Sequence, residues 1–165
     1  MIEYENVAHG SASFPVGIHD TECTDGFRLY PHIHRELELL VLTKGSGIIY
    51  IDGKEYFLKM GDGVFVNSCQ LHLGVRADNE PCKFFAVVFA PEFIGGLGGD
   101  IIEEKYVFPV TNKKISLPTF LSRETQWQRL DFLVVTPKNP DFMRFSGKEK
   151  MTTICIKIVV IFWCG

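Results

Sequence analysis

Between Phe27 and Ala90 the apolar positions fall in short runs separated by glycine-bearing turns, a spacing that belongs to strands rather than helices. Leu37–Leu42 is apolar at almost every position, which predicts a strand buried on both faces. Gly45-Ser46-Gly47 reads as a turn. Ile48–Ile51 and Glu55–Leu58 then flank Asp52-Gly53, a pair suited to a type I′ hairpin because both turn residues need positive φ. Gly61-Asp62-Gly63 is a further tight turn. Short strands follow at Val64–Val66 and Leu71–Val75, and a stronger one at Lys83–Phe89. Residues 1–27, punctuated by Gly10, Pro15, Gly17 and Gly26, predict an irregular arm with one short strand.

The texture changes after Pro91. Gly95-Gly96-Leu97-Gly98-Gly99 reads as a flexible joint. From about Thr119 the spacing becomes helical, with Trp127, Leu130, Leu133 and Val134 three or four apart and Ser122 or Thr125 near the start as a cap. Two prolines and a glycine within 136–147 end that helix. A second is expected from about Lys148 to Phe162, although the β-branched run from Ile154 to Ile161 suits a strand equally. The expected organisation is an arm (1–26), a β-barrel (27–118) and a helical appendage (119–165). Closing the sheet removes its edges and leaves an interior cavity. Phe120, Leu121, Trp127, Leu130, Leu133, Ile156, Val159 and Phe162 give the appendage more apolar surface than a small barrel can cover, which predicts a homodimer.

Composition narrows the partners. The 165 residues suffice for one domain with a sizeable core. Seventeen basic residues against 20 acidic give a net charge of −3, and the longest basic run is Lys113-Lys114, so the chain alone lacks the basic stripe that grips duplex DNA. Cys23, Cys69, Cys82, Cys155 and Cys164 are odd in number and form no CxxC, which argues against a disulfide framework or thiolate zinc site and fits a reducing cytoplasm. The first residues, Met-Ile-Glu-Tyr-Glu, have no basic leader character. The apolar stretch Ile154–Cys164 contains Lys157 and has about half the length that spans a bilayer, so no membrane partner is expected.

The candidate chemistry is a histidine-rich constellation. His32 and His34 are two apart on an expected strand, so both rings face one side. Glu38 follows four residues later, and His72 lies beyond the Gly61-Asp62-Gly63 turn. Three imidazoles and a carboxylate suit a divalent first-row ion such as Zn, Ni, Mn or Fe, with positions left open for a ligand. The same four residues would also serve as metal-free, hydrogen-bonded pocket groups, with Glu38 accepting from a sugar hydroxyl. Arg76 is expected either to line the pocket and bind an anionic group or to lie on the surface. Glu36 reads as a solvated charge at a bend, His9 and His19 as surface residues, Cys69 as a buried thiol and Trp127 as core.

Gly26, His32, His34, Glu38 and Gly45 stand at the spacings of the first motif of the cupin superfamily, which this chain resembles. Gly61 and His72 fit the second motif, while Asn67, Cys69 and Arg76 stand where that motif has Pro, Gly and Asn; Ser46–Met60 is the intermotif stretch. The resemblance implies a mainly β fold, a cupin-type jelly-roll barrel, with one or two C-terminal helices here, its interior holding His32, His34, Glu38 and His72. A narrower resemblance rests on Phe14-Pro15-Val16, Pro31–Leu39, Gly45-Ser46-Gly47, Tyr56–Asp62 and Phe89–Phe93, which look like the N-terminal sensor half of AraC-type transcription regulators. It implies a cytoplasmic domain that senses a small-molecule effector (a sugar or organic acid) and dimerises. The ligand would sit near His32, His34, Glu38, His72 and Tyr50, and DNA would be bound only through a helix-turn-helix domain that does not follow Gly165 in this sequence. The competing expectation is a small metal-dependent cupin enzyme of dioxygenase or sugar isomerase type.

Overall fold

A computed structural model describes residues 3–5, 9–11, 15–24, 28–95, 101–114 and 119–122. The chain is mainly β, and two five-stranded sheets enclose one core. The first sheet runs in the order β1 (Glu3–Tyr4), β3 (Arg28–Ile33), β8 (His72–Arg76), β5 (Ser46–Ile51), β6 (Lys54–Lys59). The second runs β10 (Phe120–Leu121), β7 (Gly63–Val66), β4 (Leu37–Lys44), β9 (Cys82–Phe89), β2 (Val16–Cys23). Every pairing is antiparallel except β1 on β3. Neighbours such as β3–β8 and β4–β9 are distant in sequence, the winding of a jelly roll.

Two apolar layers follow from the period-two alternation of side chains. Between the sheets lie Leu40, Leu42, Ile49, Ile51, Leu58, Val64, Val66, Phe84 and Ala86, with Cys23 and Cys82. On the outer face of the second sheet Leu37, Phe65 and Phe89 pack against short helices: α1 (Pro91–Gly95), then a π-type turn (Glu103–Val107) running into α2 (Phe108–Thr111). Ile94, Val107 and Val110 are the helical contacts of that layer. β4 therefore contributes to both layers, as its almost wholly apolar run predicts. The 52–53 turn also has the expected geometry, with φ of 49° at Asp52 and 80° at Gly53. Gly45, at φ 73°, closes the β4–β5 turn where a Cβ would stand 2.7 Å from the Pro81 carbonyl oxygen.

Three expectations are corrected. Val16–Cys23 is no irregular arm but an eight-residue strand paired with β9 along its whole length. Its sequence alternates weakly because it lies at a sheet edge with several residues exposed. Phe120 and Leu121 do not open a helix: they form β10 against Gly63 and Val64, and Leu121 is buried there rather than offered to a partner. Cys69 is exposed rather than buried. The helices expected around Trp127 and over 148–162 lie outside the described residues. No helix among the described residues is long and apolar enough to cross a membrane.

Candidate functional site

Three strands and the bend between β3 and β4 bring His32, His34, Glu38 and His72 together. In the β3–β8 ladder His32 is the direct partner of His72, so both rings leave the same face. The chain bends at Arg35-Glu36 before β4, and Arg35 pairs with Glu92 of α1, anchoring the bend to the helical layer. The Cys69 amide donates to the His34 carbonyl at 2.9 Å, tying this bend to the loop that leads into β8. Glu38, register partner of Val66 and Val88, shares the inward face of β4 with Leu40 and Leu42. His34 and His72 are each 1% exposed and Glu38 4%.

The proton inventory of this cluster is constrained. Each imidazole has its Nδ1 on a backbone carbonyl: His32 on Tyr30 at 2.7 Å, His34 on Glu36 at 3.1 Å, His72 on Gln70 at 3.0 Å. A carbonyl only accepts, so Nδ1 carries the hydrogen and the neutral ring keeps a lone pair on Nε2. The Nε2 atoms of His34 and His72 each lie 3.1 Å from the same oxygen, Oε2 of Glu38. Lone pairs facing a carboxylate require a cation between them, either a proton on the imidazole or a metal ion. Burial favours the neutral carboxyl, but hydrogen bonds from His34 and His72 outweigh it and hold Glu38 far below the usual carboxylate range. For His34 the opposing effect of burial is overcome by the hydrogen bond and charge of Glu38, and its pKa is raised. His32 is lowered, by burial first and then by the charge of His72.

The donor set fits a divalent ion. One ligand atom from each of the four residues lies within 4.8 Å of all the others. Donors about 2.1 Å from an ion stand roughly 3.0–3.4 Å apart when adjacent and about 4.2 Å when opposite, so small side-chain movements would complete the coordination. Nδ1-to-carbonyl bonds of this kind orient the imidazoles in metal sites generally.

The other expected pocket residues stand elsewhere. Tyr50 pairs with Leu73 on the opposite face of β5 from Ile49 and Ile51, and its phenol is hydrogen-bonded to Glu55; strand alternation turns it away from the cluster. Arg76 shares a face of β8 with His72 but lies four residues, about 13 Å, along the strand. Its Nη1 donates to the Asn79 carbonyl at 2.9 Å. Conversely, His9 is not a surface residue: its side chain is 5% exposed and its ring centroid lies 5.7 Å from that of His34. Glu5 also reaches the cluster, with Oε2 3.5 Å from His32 Nε2. Sequence reading misses Glu5 because the parallel pairing of β1 with β3 that carries it there has no local signature.

The family described as the AraC-like ligand binding domain matches residues 15–125. An uncharacterized HTH-type transcriptional regulator of Bacillus subtilis (strain 168), YdeC, is 24% identical over 127 residues, covering 76% of this chain and 43% of the regulator. The chain thus spans less than half of that relative's length. Among solved structures, a predicted oxalate decarboxylase from Thermotoga maritima is 26% identical with a TM-score of 0.42, over 44% of this chain and 64% of that one. An RmlC-like cupin from Shewanella frigidimarina is 20% identical with a TM-score of 0.42, over 45% and 65% respectively.

Proposed function

Since this chain belongs to the AraC-like ligand-binding domain family, we propose that its barrel senses a small-molecule effector, a sugar or an organic acid, at the centre formed by His32, His34, Glu38 and His72. One observation carries this reading. Among the described residues the buried polar side chains are His34, Glu38, Ser68 and His72, and three of these four converge with His32 on one point of an otherwise apolar interior. Burying such groups is costly unless something satisfies them, and packing alone would be served better by leucine. A divalent ion held by the four residues would use the lone pairs that face one another and keep positions open for an oxygen-bearing effector.

In this reading the domain is cytoplasmic and non-enzymatic. The barrel, β2 and β10 included, binds the effector, residues beyond β10 mediate dimerisation, and DNA is engaged through a helix-turn-helix domain of the kind named in the Bacillus relative. Effector binding biases the position of the segment that precedes β2 and, with it, the DNA-binding halves. A metal-dependent enzyme would draw on the same converging donors, and one experiment separates the two. Thermal melting of the zinc-loaded protein is screened against sugars and organic acids, with each reaction mixture analysed afterwards. An effector at about 100 times its dissociation constant stabilises by about 2.7 kcal/mol and is recovered unchanged. A compound that is consumed makes the protein an enzyme, and stabilisation that survives His34→Ala places the ligand elsewhere.

A further inference from the structure

A second set of donors borders the four-residue centre. The Glu5 amide, just past β1, donates to the Ile33 carbonyl at 2.8 Å, which carries the Glu5 side chain beside β3. Its Oε2 stands 3.5 Å from Nε2 of His32 and 3.7 Å from Nε2 of His9. His9 Nε2 is buried and has no hydrogen-bond partner among the described residues, and 3.7 Å is too long for a bond to Glu5. The other ring nitrogen of His9, Nδ1, lies 3.3 Å from His19 Nε2 on β2, which orients the ring with Nε2 toward Glu5. Space for His9 comes from Gly17, where a Cβ would come within 3.1 Å of the His9 Cβ. All five histidines of the chain thereby form one connected group, of which the centre described above uses three.

The chemistry of this outer set is that of the inner one. His32 donates its Nδ1 hydrogen to Tyr30, so a neutral His32 turns a lone pair toward the Glu5 carboxylate. A buried imidazole nitrogen without a partner and a carboxylate stand slightly wider apart than adjacent donors on one ion, which are roughly 3.0–3.4 Å from each other. Glu5 and Glu38 add two carboxylates to a group of imidazoles, a charge balance that favours cations over anions. We propose that Glu5 and His9 hold a second divalent cation beside the one in the four-residue centre, with the Glu5 carboxylate on the His32 side shared between the two. This rests on the reading of the inner centre as a metal site. With only two protein ligands, the outer position fills after the inner one and more weakly, with water completing its coordination.

Titration of the metal-free full chain with zinc alone, followed by calorimetry and by ¹⁵N resonances of the histidine rings, tests the proposal. The expected result is two equivalents per chain. The second, weaker equivalent moves the His9 Nε2 resonance and is lost in both Glu5→Gln and His9→Gln, while the first remains. Neither substitution removes a core side chain of the barrel, and circular dichroism verifies that both variants fold. A single equivalent in the wild type, abolished by His34→Ala, overturns the second position and leaves the inner centre standing. Two equivalents that survive both substitutions overturn it as well. A wild type that binds no zinc overturns the metal reading of the inner centre, and the outer position with it.

Discussion

His32 and His72 face each other directly across the β3–β8 ladder with ring centroids 4.1 Å apart, the closest approach among the three imidazoles of the centre. Two rings this near resist double protonation, in keeping with the lowered pKa of His32. They form a two-nitrogen wall on the first sheet, while Glu38 comes from the second sheet and His34 from the bend between them. The centre therefore bridges the two halves of the barrel.

Glu38→Gln should remove zinc binding while keeping side-chain volume. An amide cannot replace a carboxylate that meets two imidazole Nε2 atoms at 3.1 Å. The loss in affinity should exceed the roughly 10–100-fold that follows removal of an outer-shell partner. Calorimetric zinc titration measures it, and an unchanged dissociation constant would exclude Glu38 as a ligand.

The metal-free protein should show a pH window of stability set by Glu38 and His34. The pKa of Glu38 is depressed on folding, so its contribution is present above its unfolded value of about 4.3 and is lost as pH falls through the lower folded value. That of His34 is raised, so its contribution is complete below its unfolded value of about 6.5 and is lost as pH rises through the folded one. For this pair, stability in the presence of a chelator should be greatest between about pH 4.3 and 6.5. With zinc the upper side should reverse, because metal and proton compete for Nε2. Urea midpoints measured against pH with and without zinc decide it; parallel curves would mean that no metal engages these nitrogens.

Tyr50→Phe should leave zinc and effector affinity unchanged and shift stability by no more than about 0.5 kcal/mol. The phenol bonds Glu55 on the outer face of β5. A tenfold loss of effector affinity would return Tyr50 to the pocket.

Gly45→Ala should destabilise more than Gly53→Ala, although both replace a glycine of positive φ. At Gly53 nothing among the described residues lies within 4 Å of the added methyl, leaving a backbone cost of about 1–2 kcal/mol. At Gly45 the methyl would also collide with the Pro81 carbonyl oxygen 2.7 Å away. Equal urea midpoints would show that the 81–82 segment yields freely.

What the sequence discloses is what neighbours in sequence decide. The doubly buried β4 follows from an apolar run, and the 52–53 hairpin from Asp-Gly. The His32–His34–Glu38 spacing, with His72 after its turn, is legible in the sequence. What stayed hidden depends on pairing across long separations. β2 is an edge strand whose partner β9 lies some sixty residues on, and its exposed His19, Asp20 and Glu22 blur the alternation. Phe120-Leu121 continues a helical-looking pattern, yet it completes a sheet against β7. At Tyr50 a one-residue step along β5 reverses the face, which sets it opposite Ile49 and Ile51.

The double burial of β4 also makes its alignment self-correcting. A slip of one residue would carry Glu38 outward against Phe65, Phe89 and the short helices, and would turn Leu37 and Leu39 in among the imidazoles. Both compartments would be wrong at once, so misaligned states lie far above the native one and the carboxylate has a single address. The Glu38 amide, bonded within a strand flanked by β7 and β9, should then exchange its hydrogen only when the whole barrel opens, even though its side chain belongs to the polar cluster.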